Sequence, residues 1–131
     1  MTLDEFLARE AAKPFAWGLN DCTMMCDRWV RLKCGVSPVA AGPIIYGDKG
    51  GAMAILPHLP LIMNAAMRRA GLVKTASPQR GDVGLVDVGE RIGPAIHAGG
   101  HWITRHEDGF FTAPLANVWK AWRICDFGAT T

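Results

Sequence analysis

The stretch Trp17-Gly18-Leu19-Asn20-Asp21-Cys22 leads without a break into Thr23 to Cys34, a segment with helical spacing of apolar residues. Asn20 or Asp21 can cap that helix, because either side chain can accept a hydrogen bond from a free backbone N–H of the first turn. Gly35 supplies the left-handed residue that closes many helices. Cys22 then lies in the first turn, near the positive end of the helix dipole. That field favours thiolate over thiol, and the thiolate is the nucleophile. The plainer role for such a residue is that of a small buried hydrophobe. Cys22, Met25, Cys26, Trp29 and Leu32 fall on one face, which predicts a core-facing stripe and places Cys22 at a helix–sheet boundary, at the floor of a cleft.

Outward from this helix the chain divides by period. Thr2 to Lys13 reads as a short helix, with Thr2 and Glu5 at capping-box spacing and Leu3, Phe6 and Leu7 as its apolar stripe; Pro14 ends it. Residues 36–51 carry Pro38, Pro43, Gly42, Gly47, Gly50 and Gly51 and read as a long loop, with Tyr46 as a packing residue. Ala52 to Leu56 predicts a helical turn. Pro60 opens a helix through Ala70, closed by Gly71. Past Gln79-Arg80-Gly81-Asp82, a turn, the pattern becomes strand-like. Val83 to Val88, Ala95 to Ala98, His101 to Arg105, Phe110 to Ala113 and Ala121 to Cys125 predict strands, with Gly99-Gly100 as a two-residue hairpin loop. Gly89 to Gly93 reads as a turn, and Leu115 to Lys120 as a turn or short helix. Helices first and an antiparallel meander second make an α+β class, expected as a single domain over residues 1–131.

Composition narrows the partners. The chain has 131 residues, 50% of them hydrophobic and 20% charged, which marks a globular domain. A net charge of +2, with no Lys/Arg run, argues against nucleic acid. No apolar stretch reaches membrane-spanning length, so no membrane partner is expected. The start, Met1-Thr2-Leu3-Asp4-Glu5, lacks the basic-then-apolar order of a secretory signal, which predicts synthesis in the cytosol and, if the chain acts outside, delivery by another route. The cysteines are Cys22, Cys26, Cys34 and Cys125. Without Cys-x-x-Cys spacing or a matching second pair they predict no metal site, and no disulfide framework is expected. No cofactor is expected either. A metal- or redox-active helix would rest on Cys22, Cys26 and Cys34 alone.

A thiol nucleophile needs a base within hydrogen-bonding reach. His58 lies between prolines and His106 in a turn. His97 and His101 lie on strands. With Gly99-Gly100 as the loop, His97 pairs with Trp102 and shares a sheet face with Ala95 and Thr104, while His101 points to the other face. Only one of the two can face the Cys22 helix, and His97, flanked by small residues, is the candidate base. Ser37, Ser77 and the carboxylates Asp82, Asp87, Glu107 and Asp108 sit in no catalytic pattern, and Asp82 reads as a turn former. The five tryptophans read as core packing.

Asp21-Cys22 opening a helix, Gly81-Asp82-Val83 opening a strand and His97-Ala98-Gly99 on the next strand resemble the NlpC-type papain-like cell-wall peptidases. Phe15-Ala16-Trp17-Gly18-Leu19-Asn20-Asp21-Cys22, Arg80-Gly81-Asp82-Val83 and Ala121-Trp122-Arg123 are similar to a small phage-associated branch of that superfamily, and these anchors extend over most of the chain. The resemblance implies a papain-like fold and a cysteine peptidase, with Cys22 and His97 as catalytic residues, that cleaves peptidoglycan stem peptides. It further implies a place at a phage tail tip or baseplate, or in a gene-transfer particle, among tail proteins and acting at the cell wall or periplasm. Delivery by a particle fits the missing signal. The alternative it leaves is a domain of the same fold that serves as a catalytically inactive tail component.

Overall fold

The computed structural model describes residues 1–41, 46–89 and 91–125, with Leu56 by its backbone alone. Gly42 and Pro43 of the expected loop lie outside the described residues. Helix α1 (Leu3–Ala11) starts as its sequence dictates. The Thr2 hydroxyl accepts the Glu5 N–H at 3.1 Å and lies 3.2 Å from the Glu5 carboxylate. Helix α2 (Cys22–Cys34) begins at Cys22, capped by Asp21, and ends at Gly35 with φ of 72°. Three further helices follow: α3 (Pro38–Ala41), α4 (Lys49–Ile55) and α5 (Leu59–Arg69). No single helix among the described residues is long and apolar enough to cross a membrane.

Among the described residues six strands form one antiparallel sheet: β1 (Val73–Lys74), β2 (Val83–Asp87), β3 (Ile92–His97), β4 (Trp102–His106), β5 (Gly109–Ala113) and β6 (Val118–Arg123). Their order across the sheet is β1-β6-β2-β3-β4-β5. The α+β class is as the sequence predicts, and so is the hairpin register, with His97 opposite Trp102 and the Ala98 N–H on the His101 carbonyl at 2.8 Å. The simple meander holds only for β2 to β5. β6 returns to lie beside β2, and β1, which the sequence reading lacks, pairs with β6 at the edge.

Alternation along the strands separates two apolar clusters. One lies between helices and sheet: Trp29, Met25 and Val30 of α2 pack with Leu3 and Phe6 of α1, Met63 and Met67 of α5, and Val83, Leu85, Ile96 and Trp122 of the sheet. The other occupies the opposite face and holds Val86, Ala95, Trp102, Ala113 and Ala121. The β5–β6 connection runs over this second face, where the Trp102 indole donates to the Leu115 carbonyl at 3.3 Å. On the helix side the Trp29 indole donates to the Gly81 carbonyl at 2.8 Å, fixing the far end of α2 over the start of β2. The buried face of α2 runs Cys22, Met25, Cys26, Trp29, Val30. Leu32, expected on that face, is 49% exposed; the core covers the other edge of the stripe, where Val30 is buried.

Candidate functional site

Cys22 is the first residue of α2 and is 8% exposed. Its surroundings are built by Asp21, whose carboxylate is 1% exposed. One Asp21 oxygen accepts the Met24 N–H at 3.0 Å, the helix cap; the other accepts the Gly18 N–H at 2.7 Å and the Tyr46 hydroxyl. Gly18 has φ of 77°, and a Cβ there would stand 2.3 Å from the Tyr46 carbonyl oxygen. Glycine is therefore required before the cap, for conformation and for space. Tyr46, expected as a packing residue, instead ties the residue 36–51 segment to the cap and lines a cleft beside Cys22.

Electrostatics at the sulfur oppose the thiolate expected from the dipole. Burial pushes the Cys22 thiol up, and the neighbouring Asp21 carboxylate pushes it further; the Arg91 charge and hydrogen bonds from Thr23 pull it down without reversing the shift. A low-dielectric site with a carboxylate next door outweighs the half-charge of the helix terminus. Cys26, one turn on, is raised well above the ordinary thiol range, by burial first.

The structure does not bring His97 to Cys22. The His97 ring packs edge-on against Trp102, centroids 5.1 Å apart, on the face of the sheet turned away from α2. His97 also ends β3, whereas Arg91, whose charge acts on Cys22, stands just before Ile92 at the strand's other end. Ile92 and His97 stand five residue steps apart along the strand, about 17 Å. The His97 Nδ1 accepts the Gly99 N–H at 3.0 Å, so the neutral ring carries its proton on Nε2. Burial lowers its pKa against the opposing pull of Asp82. In this position His97 shapes the hairpin.

Residues that the sequence reading passed over meet at Cys22. A narrow cleft beside the thiol is lined by Phe15, Trp17, Arg91, Arg105, His106 and Glu107. Phe15 and Trp17 stand edge to face at 4.9 Å. The His106 ring stacks on Phe111 at 4.3 Å. Arg105, 8% exposed, donates to the Glu10 and Lys13 carbonyls at 2.7 Å each, which anchors the end of α1 to β4. The Arg105 bonds join segments more than 90 residues apart in the chain, which is why spacing gave no sign of them.

The Gly81-Asp82 turn is structural. Asp82 accepts the Gln79 N–H at 2.8 Å, the Ile124 N–H at 3.0 Å and the Arg123 Nε–H at 3.0 Å, so two of the sequence anchors bond to each other. Among the described residues no group of three His, Cys, Asp or Glu side chains is placed to hold a metal ion.

Fold and site together define an α+β domain that sets a buried cysteine, at the start of a capped helix, against a cleft walled by arginines. The chain belongs to the family described as "Domain of unknown function (DUF6950)", whose sequence model matches residues 1–124. Comparison with curated proteins and with solved structures found no match to either.

Proposed function

We propose that this chain is an NlpC-type, papain-like domain that works as a non-catalytic binding component of a phage tail tip or baseplate. The observation that carries the reading is the identity of the cation at the thiol. Arg91 lines both clefts beside Cys22, and its charge acts on the thiol. A guanidinium stays protonated throughout the working pH range and cannot take the thiol proton. The papain-like frame is supported by the capped cysteine helix lying on an antiparallel sheet, with the Gly81-Asp82 turn opening β2. The tail assignment rests on the resemblance of the Phe15 to Cys22 stretch and of Ala121-Trp122-Arg123.

One observation favours a second reading, cleavage of peptidoglycan stem peptides. His106 lines the Cys22 cleft, and its buried Nδ1 has no partner. In that reading His106 would take the thiol proton while the sulfur bonds the peptide carbonyl carbon. The proton would pass to the leaving amine, and water would then release the acyl group from the sulfur.

Infectivity of the particle that carries the chain separates the two. Under the binding reading, deletion of the chain abolishes infection, and Cys22→Ala supports it at the wild-type level. A fall with Cys22→Ala as deep as that of the deletion would establish the need for the thiol and overturn the reading.

A further inference from the structure

Helices α1 and α2 lie side by side in opposite directions. Lys33, near the end of α2, donates to the Met1 carbonyl at 3.0 Å, and Arg28, further back in α2, bonds Glu10 near the end of α1 at 3.2 Å. Both helices line an open groove of about 650 Å³, away from Cys22. Arg9 and Lys13 come to it from α1 and the residues just after it, and Arg28 and Arg31 from α2, each pair about one helical turn apart. Against these four cations the groove holds one anion, Glu10, so it carries +3 where the whole chain carries +2. Glu10 is 3% exposed, and its carboxylate is already shared by Lys13 at 2.7 Å and Arg28. The other acid of α2, Asp27, is turned inward to the Ser37 hydroxyl at 2.9 Å and the Val39 N–H at 3.0 Å. Arg9 and Arg31 are exposed and have no ion-pair partner among the described residues. Between the charges the groove presents aliphatic surface to solvent, with Leu32 49% and Met1 40% exposed.

We infer that the groove between α1 and α2 is the docking site for a helical segment of a partner protein, acidic on its flanks and aliphatic along its centre. The inference goes beyond the reading of the Cys22 cleft and stands whether or not the thiol is catalytic. Charge complementarity selects the acidic flanks: Arg9 and Arg31 can each take a carboxylate without giving up a bond they already make. Leu32 and Met1 select the aliphatic centre, which loses water against them. Both walls are helices, whose backbone groups are used internally, so recognition runs through side chains and suits a helix laid in a groove rather than a strand added to an edge. Nucleic acid fits less well. Phe6, the aromatic residue among those lining the groove, is 5% exposed and offers no face for a base to stack on. A phosphate backbone would also leave Leu32 and Met1 against charge. A bilayer is flat and cannot follow a concave groove.

The test uses the full chain and a fluorescent synthetic peptide of about fifteen residues, long enough for four helical turns, with leucine at every third and fourth position and glutamate between. Its binding is followed by anisotropy beside three probes of the same label: the peptide with glutamine for glutamate, the peptide with serine for leucine, and a short DNA duplex. Vesicles of phosphatidylserine in phosphatidylcholine are tested by co-sedimentation. The acidic leucine peptide is expected to bind with a Kd of about 100 μM, and at least tenfold more tightly than each of the other three probes. Raising the salt from about 50 mM to about 500 mM should weaken it about tenfold. Arg9→Glu with Arg31→Glu should weaken it about tenfold and Leu32→Gln about fivefold, the melting temperature staying near wild type because all three side chains are exposed. The comparison of probes on the wild-type protein needs no variant to fold. No saturable binding of the acidic leucine peptide, equal binding of the glutamine or serine peptide, tighter binding of DNA, sedimentation with the vesicles, or affinity unchanged in the arginine or leucine variants would each overturn the docking site. None of these results bears on Cys22, whose role is tested by the Cys22→Ala variant.

Discussion

The Asp82 carboxylate accepts the Nε–H of Arg123 at 3.0 Å across 41 residues of chain, and it takes the Ile124 N–H with its other oxygen. This one side chain locks the turn that opens β2 to the end of β6, the strand that returns across the sheet. Asp82 is 2% exposed, whereas the Arg123 side chain is 44% exposed. The bond to the guanidinium is therefore screened, and the two backbone N–H groups depend most on the carboxylate.

Asp82→Asn is expected to cost about 2–3 kcal/mol in urea denaturation, because an amide replaces a charged acceptor that serves several donors. Arg123→Gln should cost less than about 1 kcal/mol. Equal costs for the two would show that the ion pair, not the backbone capture, holds β6.

Glu10 sets the acid limit. Burial pushes its carboxyl pKa up, but hydrogen bonds and charge from Arg28 and Lys13 lower it overall below its ordinary 4.5. A carboxylate with a depressed folded-state pKa stabilises the fold above its unfolded value, and that contribution is lost as pH falls through the folded pKa. Melting temperature measured downward from pH 6 should fall below about pH 4.5 in the wild type. Glu10→Gln should start about 2 kcal/mol less stable at pH 7 and show a shallower acid decline. A parallel decline in both proteins would remove Glu10 as the cause.

Cys22 labelling reports the electrostatics of the cleft. Burial and Asp21 raise its pKa, so alkylation should climb only above pH 9, the ordinary thiol value. Arg91→Gln removes the charge that favours thiolate and should slow labelling at pH 8 a further few-fold. A labelling plateau reached near pH 6 would reveal a thiolate paired with a protonated base.

The parts of the fold that local chemistry dictates were legible. Asp21 and Gly35 bound α2, Thr2 and Glu5 start α1, and Gly99-Gly100 fixes the β3–β4 register. β3 was harder to delimit, because Gly93-Pro94 carries the composition of a turn. Pairing of Pro94 with Leu85 and of Gly93 with Val86 overrides that preference. β1 is two residues long and exists only because β6 lies beside it. The cleft was the least legible part. Alternation told which residues share a face with His97, but not which face or which end of β3 lies beneath the start of α2. That choice depends on Trp29 bonding Gly81 at the opposite end of the helix. It decides that Arg91 and His106, rather than His97, line the cleft beside Cys22.

The claim that Cys22 heads a binding cleft rather than a catalytic dyad is tested most directly by incubating purified peptidoglycan with the wild type and with Cys22→Ala, beside an active endopeptidase as a positive control, and measuring released stem peptides. The account predicts no release above background by either protein; release by the wild type that Cys22→Ala abolishes would contradict it.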